Sequence, residues 1–243
     1  MTSRSLRVRV PIAPRVEWDE IVAEHLRWKP GEHVLIAGPT GCGKTTLAMS
    51  LMDARKYVIA LATKPQDDLL DELPKRGIWR TSEWPTPSHH FRWVFAPDYT
   101  HPSQAQEVRA KCARVMADVF VRGGFTLYMD ELNFLGESPS VSALIRVLYH
   151  GARSSGASLM ASAQRPRYLP VAALGQSTHL FVFRTRDRED LRRLSGIGGM
   201  DSAEVMYNVA NLPPGDGVEP SHDVLYINTR TARSFVTRAP EVS

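Results

Sequence analysis

Eight consecutive residues, Gly38-Pro39-Thr40-Gly41-Cys42-Gly43-Lys44-Thr45, fit the spacing G-x-x-x-x-G-K-[ST] without a mismatch. Glycines there let the backbone wrap a phosphate closely, with N–H groups pointing inward at the positively polarised start of a helix. In that pattern Lys44 reaches the β- and γ-phosphates, the Thr45 hydroxyl ligates magnesium, and Thr46 adds a contact to the α-phosphate. Such a grip needs carboxylates to become a hydrolytic centre. Phe125-Thr126-Leu127-Tyr128-Met129 is an apolar run that ends in Asp130-Glu131. Asp130 is placed to hold the water shell of a magnesium ion. Glu131, splayed to the other side, is placed to orient and deprotonate an attacking water. The second acid favours transfer to water over transfer to a substrate hydroxyl. Gln164, closing the run Ser158-Leu159-Met160-Ala161-Ser162-Ala163, can sense a γ-phosphate by hydrogen bonding. ATP and magnesium are the cofactors this set calls for.

These residues need a scaffold, and the sequence outlines one. His33-Val34-Leu35-Ile36-Ala37 reads as a buried strand feeding the glycine loop, with a helix over 44–53 after it. A strand over 57–62 follows. Ala105, Val108, Cys112, Val115, Met116 and Val119 share one helical face within 103–121, which Gly123-Gly124 would stop. Further strands are expected at 125–129, 158–163 and 180–183, a helix at 141–150, and a closing hairpin from 224–227 and 233–236. This alternation predicts an α/β fold, a mostly parallel sheet with helices on both faces and a C-terminal β-hairpin. Ligands bind such sheets at the carboxyl ends of the strands, where the candidates fall. Residues 64–102 are less regular, with several prolines, and predict only a strand at 92–95. Leu6, Val8 and Val10 alternate with Arg7 and Arg9, predicting a short strand in a leader over 1–30 that precedes a single domain over 31–243.

The 243 residues suit one α/β domain with additions, and a 43% hydrophobic content is enough for its core. No apolar run is long enough to span a membrane. The first residues carry arginines without the apolar core of an export signal, and two cysteines make no disulfide framework, so a reducing cytoplasm is the expected setting. A net charge of +4 with arginine in excess of lysine suits contact with a phosphate backbone, and equally suits plain solubility.

In order and spacing after Asp130-Glu131, Ala152-Arg153-Ser154-Ser155-Gly156 and Ala163-Gln164-Arg165-Pro166 resemble the A-R-x-x-G and [TS]-Q-R-P segments of the FtsK/HerA superfamily of DNA-pumping P-loop ATPases. The stretch Thr178–Leu194 and Leu212-Pro213-Pro214-Gly215-Asp216-Gly217 add to the likeness, which runs from about Gly31 to Val236. Ala163 stands where the family has threonine or serine. The compact size is most similar to the genome-packaging ATPases of tailless viruses and membrane-containing phages. The chain has neither the transmembrane region nor the winged-helix domain of the full-length chromosome translocase, and is too short for the flanking strand domains of HerA. The resemblance implies ATP hydrolysis coupled to translocation of double-stranded DNA, a hexameric ring, and capsid vertex or portal partners. A conjugation or plasmid-transfer ATPase is the neighbouring reading, and a slow nucleotide-gated switch the non-motor one. It also implies that Arg153 is an arginine finger acting on the next subunit, with Arg165 in reserve.

Other features carry less. Lys64-Pro65-Gln66-Asp67-Asp68 follows the second strand, where related motors place a polar loop near the site, with Asp67 or Asp68 the candidates. Arg184, Arg186, Arg188, Arg192 and Arg193 could face DNA or a neighbour, or form a solvated helix face salted with acids. His89, His90 and His101 lack the spacing of a metal site. Trp79, Trp84 and Trp93 suit packing better than base stacking.

Overall fold

In the computed structural model, residues 11–64, 68–85, 90–197, 199–214 and 221–240 are described. The strand expected within 6–10 lies outside them. Nine strands form one sheet in the order β3-β4-β2-β5-β6-β1-β7-β8-β9. The first seven, β1 (His33–Ala37), β2 (Val58–Leu61), β3 (Trp79–Thr81), β4 (Arg92–Phe95), β5 (Thr126–Met129), β6 (Ser158–Ala163) and β7 (Ser177–Phe183), run parallel. β8 (Asp223–Asn228) and β9 (Arg233–Arg238) join β7 antiparallel as the expected hairpin. The central strands β1, β2, β5 and β6 are buried along their whole length, as strands covered on both faces must be.

Alternation along each strand divides the core in two. Leu35, Ile59, Leu127 and Leu159 face one layer, built from α4 (Ala105–Arg122), α5 (Leu132–Gly136), α6 (Pro139–Gly151), α7 (Val171–Gln176), α8 (Arg188–Ser195) and α9 (Ser202–Ala210). Ile36, Ala60, Tyr128 and Met160 face the other, where α2 (Lys44–Asp53) and α3 (Asp68–Lys75) pack. The face expected for α4 is the buried one from Val108 to Val119, and the helix stops at Gly123, whose φ is +67°. A Cβ at Gly123 would lie 2.2 Å from the Ser155 carbonyl oxygen, so the stop also depends on close backbone approach.

Several elements went unread. The short α1 (Trp18–Glu20) runs into a π-helical turn, Ile21–Leu26, whose Ile21 and Leu26 are buried beside Phe181 and Tyr226. Ala13 N–H donates to Asn208 Oδ1 at 2.9 Å, and Val16 N–H to the Val236 carbonyl at 3.0 Å, so residues 13–16 lie against α9 and β9. In the proline-rich stretch, α3 and the edge strand β3 were not expected.

Candidate functional site

Strand register assembles the site. Ala37 pairs with Ala163 and Met129 with Ala161, so Gly38, Gln164 and the Asp130-Glu131 pair emerge together from the carboxyl ends of β1, β6 and β5. β6 lies between the other two, which sets Gln164 between the glycine loop and the acids. Gly41 and Gly43 hold φ of +80° and +95°, the left-handed backbone that turns the loop into α2. Gly38 has another reason to be glycine: a Cβ there would lie 2.5 Å from Phe183 Cβ and 2.9 Å from Cys42 Sγ. Cys42 is buried, and burial pushes its thiol up to about 11, so it is an inert packing residue within the loop. Lys44 Nζ, on a largely buried side chain, donates to the Pro39 carbonyl at 2.7 Å across the loop.

Thr40, Gly41, Gly43, Lys44, Thr45 and Thr46 line a pocket of about 280 Å³ together with Lys64, Asp130, Glu131, Gln164 and His222. Asp130 is buried, and its Oδ1 accepts from Tyr128 OH at 2.9 Å and Ser162 Oγ at 2.7 Å. Those bonds fix the carboxylate and leave Oδ2 turned toward the pocket, where Lys64 Nζ donates to it at 3.0 Å. Glu131 follows in a left-handed conformation, φ +54° and ψ +63°, which for a residue with a Cβ costs about 1–2 kcal/mol. Its Oε1 accepts from Gln164 Nε2 at 2.5 Å and lies 3.5 Å from Lys64 Nζ. Gln164 Oε1 in turn accepts from Thr40 Oγ1 at 3.0 Å, which links the acid to the loop. Beside the phosphate loop, the Thr45 hydroxyl and the Asp130 carboxylate offer oxygen donors to a cation. That set fits a hard ion such as magnesium.

Arg153 does not join this pocket. It is exposed in the turn after α6, beside the opposite end of β1: a Cβ on Gly31 would lie 3.0 Å from the Arg153 carbonyl oxygen and 3.3 Å from its Cγ. Arg165 is committed within its own chain, to Asp187 at 2.6 Å and Asp190 at 3.0 Å. Of the arginine group, Arg192 pairs with Glu189, Arg193 Nη2 donates to the Leu169 carbonyl, and Arg186 and Arg188 are exposed. His101 Nδ1 caps the turn before α4, accepting from Ser103 N–H at 3.2 Å, and His90 stacks on Trp79. Trp93 is buried, and Trp84 Nε1 donates to Asp118. Asp67, the Asp68 side chain, His89 and residues 215–217 lie outside the described residues. Pro213 and Pro214 border a cavity of about 350 Å³ behind the glycine loop, with Pro39 and Cys42.

The polar loop after the second strand, 64–68, was expected near the site, but through Asp67 or Asp68 and not Lys64, and His222 was missed. Lys64 had a signal: it stands three residues past β2, the strand that pairs with β5, and so belongs to the same rim. His222 had none, since its place beside Gly43 depends on how β8 returns along β7.

No family model matches the chain, and no curated protein does. Solved structures do. The genome packaging NTPase B204 of Sulfolobus turreted icosahedral virus 2, in complex with AMPPCP, superposes with a TM-score of 0.63 at 17% identity, over 88% of this chain and 100% of B204. VirB4 of Thermoanaerobacter pseudethanolicus gives 0.66 at 11% identity, over 86% of this chain and 89% of its own. The pCW3 conjugation coupling protein TcpA gives 0.55 at 14%, over 95% of this chain and 70% of its own. At these identities the likeness is one of architecture: the chain shares the α/β P-loop NTPase fold of these structures.

Proposed function

We propose that this chain hydrolyses ATP to drive double-stranded DNA through a ring of its own copies, in the manner of a motor that packages a viral genome into a capsid. One observation carries the reading. The phosphate loop, both acids and Gln164 meet at one end of the sheet, while the exposed Arg153 sits beside the other end of β1. Such a division supports a reading in which one chain binds the nucleotide and activates water while a second supplies the guanidinium.

In this mechanism the inward-facing N–H groups of Gly41, Gly43 and Lys44 and the Lys44 ammonium hold the phosphates, with Gly38, Pro39, Thr40 and Cys42 shaping the loop and Thr46 at the α-phosphate. Thr45 and Asp130 would hold magnesium, which when bound neutralises phosphate charge. Glu131 takes the proton from the attacking water, and Gln164, already bonded to both Thr40 and Glu131, reports the γ-phosphate to the base. Arg153 of the preceding subunit stabilises the charge that develops on the transferred phosphoryl group.

The DNA cargo is supported by the net charge of +4 and by fold neighbours named for genome packaging. A hexamer, capsid vertex or portal partners and the host cytoplasm complete the picture. The likeness to TcpA favours a second reading, transfer of conjugative DNA. The test is ATP turnover measured with and without linear duplex DNA, beside native mass determination. DNA-stimulated turnover by a ring-sized assembly is expected. Turnover indifferent to DNA would point to a nucleotide-gated switch and contradict the motor.

A further inference from the structure

We infer that Lys64 is a built-in cation of the nucleotide site, one that competes with the divalent metal ion for Asp130 and holds Glu131 back until the metal and nucleotide are seated. The inference rests on the reading of Asp130 as the metal's carboxylate and Glu131 as the base.

The geometry is specific. Asp130 Oδ1 is taken by Tyr128 and Ser162, so Oδ2 is the oxygen left for a cation, and Lys64 Nζ lies 3.0 Å from it. An ammonium on that oxygen and a metal ion on the same oxygen exclude each other by charge and by space. Lys64 also reaches Glu131 Oε1 at 3.5 Å, an oxygen that already accepts from Gln164. With Gln164 and Lys64 both on it, that oxygen is occupied rather than open to a water. Departure of Lys64 would therefore free the metal ligand and uncover Glu131 Oε1 in one movement. The lysine can leave: its side chain is 44% exposed, against 3% for that of Asp130. Its stem starts from a fixed point, because the preceding Thr63 Oγ1 donates to the Asp130 carbonyl at 3.2 Å. The site thus keeps a positive charge beside Asp130 whether the metal is bound or not.

The experiment is a Mn²⁺ titration of the full chain followed by electron paramagnetic resonance, without nucleotide and with ATPγS. Lys64→Met should tighten nucleotide-free Mn²⁺ binding about tenfold over wild type, the effect expected on removing one adjacent competing charge. Lys64→Arg, which keeps the charge, should stay near wild type, and Lys64→Met with Asp130→Ala should lose the gain. Lys64→Gln provides the same test should the methionine variant fold poorly, with thermal melting as the check. A lysine that only braced the fold would lower the melting temperature and leave Mn²⁺ affinity unmoved. Unchanged or weaker Mn²⁺ binding in folded Lys64→Met and Lys64→Gln would overturn the inference, provided Mn²⁺ binding with ATPγS in the wild type depends on Asp130. Were that binding indifferent to Asp130→Ala, the metal reading beneath the inference would fall, and the inference with it.

Discussion

Arg153 and Lys44 stand at opposite ends of one strand. Arg153 packs against Gly31, just before β1, and Lys44 opens the helix that follows the loop after β1. Five residues of extended chain separate the two ends by about 16 Å. A guanidinium there cannot reach the phosphates bound by its own loop. The same strand nonetheless ties the two together, and in the proposed ring a shift of the loop in one subunit would have a direct route to the arginine offered to the next.

Gripping and hydrolysis should separate by mutation. Lys44→Ala removes a charge-assisted phosphate contact worth about 1.5–3 kcal/mol and should weaken ATP binding roughly tenfold or more. Glu131→Gln keeps a hydrogen-bonding group of the same size in the pocket, so ATP should still bind while turnover falls on the order of 10²–10⁴-fold. Nucleotide titration and single-turnover hydrolysis read the two effects. Wild-type turnover in Glu131→Gln would remove Glu131 from the role of base.

Glu131 is held in a left-handed conformation that asparagine adopts more readily. Glu131→Asn should therefore lose activity without losing stability, and gain up to about 1 kcal/mol in chemical denaturation. A loss of 2 kcal/mol or more would mean that the Lys64 and Gln164 contacts to this carboxylate outweigh the strain.

His33, at the start of β1, accepts from Leu159 N–H at 3.1 Å. Burial, with the Arg153 charge adding, holds its imidazole down at about 4. The unfolded chain therefore binds the proton between about pH 6.5 and 4 while the folded chain does not. Stability should be full above pH 6.5 and fall as pH drops through that window, by up to about 3 kcal/mol. Denaturant melts of His33→Phe, which cannot take the proton, should show a shallower decline below pH 6.5; an unchanged slope would assign the acid sensitivity to other groups.

The legible part of this protein was the part fixed by local chemistry. The glycine loop, the apolar strands with their closing acids and the one-sided α4 each carry a signal within a few residues. Lys64, His222 and the Tyr128 and Ser162 bonds to Asp130 depend on which strands are neighbours and in what register, and adjacent strands here come from distant segments. The α3 and β3 elements were hidden because Pro74 sits inside the helix and β3 spans three residues at the sheet edge, too short for a periodic pattern.

Duplex DNA should bind through its phosphates. Affinity should fall steeply with salt, the slope of log K against log salt being about −0.9 per phosphate neutralised, with little preference for sequence. Fluorescence anisotropy with unrelated duplexes between low and physiological salt checks this. Tight, salt-insensitive binding to one sequence would argue against a translocating motor.

The most direct measurement is a mixing assay between two inactive variants. Arg153→Ala should bind ATP nearly as the wild type does yet hydrolyse it on the order of 10³-fold more slowly, as expected on losing an arginine finger. Lys44→Ala lacks the grip but retains the arginine. Mixed under conditions where subunits exchange, with protein concentration varied, the pair should regain activity, because an intact loop in one subunit meets an intact Arg153 from the next. Absence of any recovery in rings shown by mass to contain both variants would place the whole site within one chain and contradict the account.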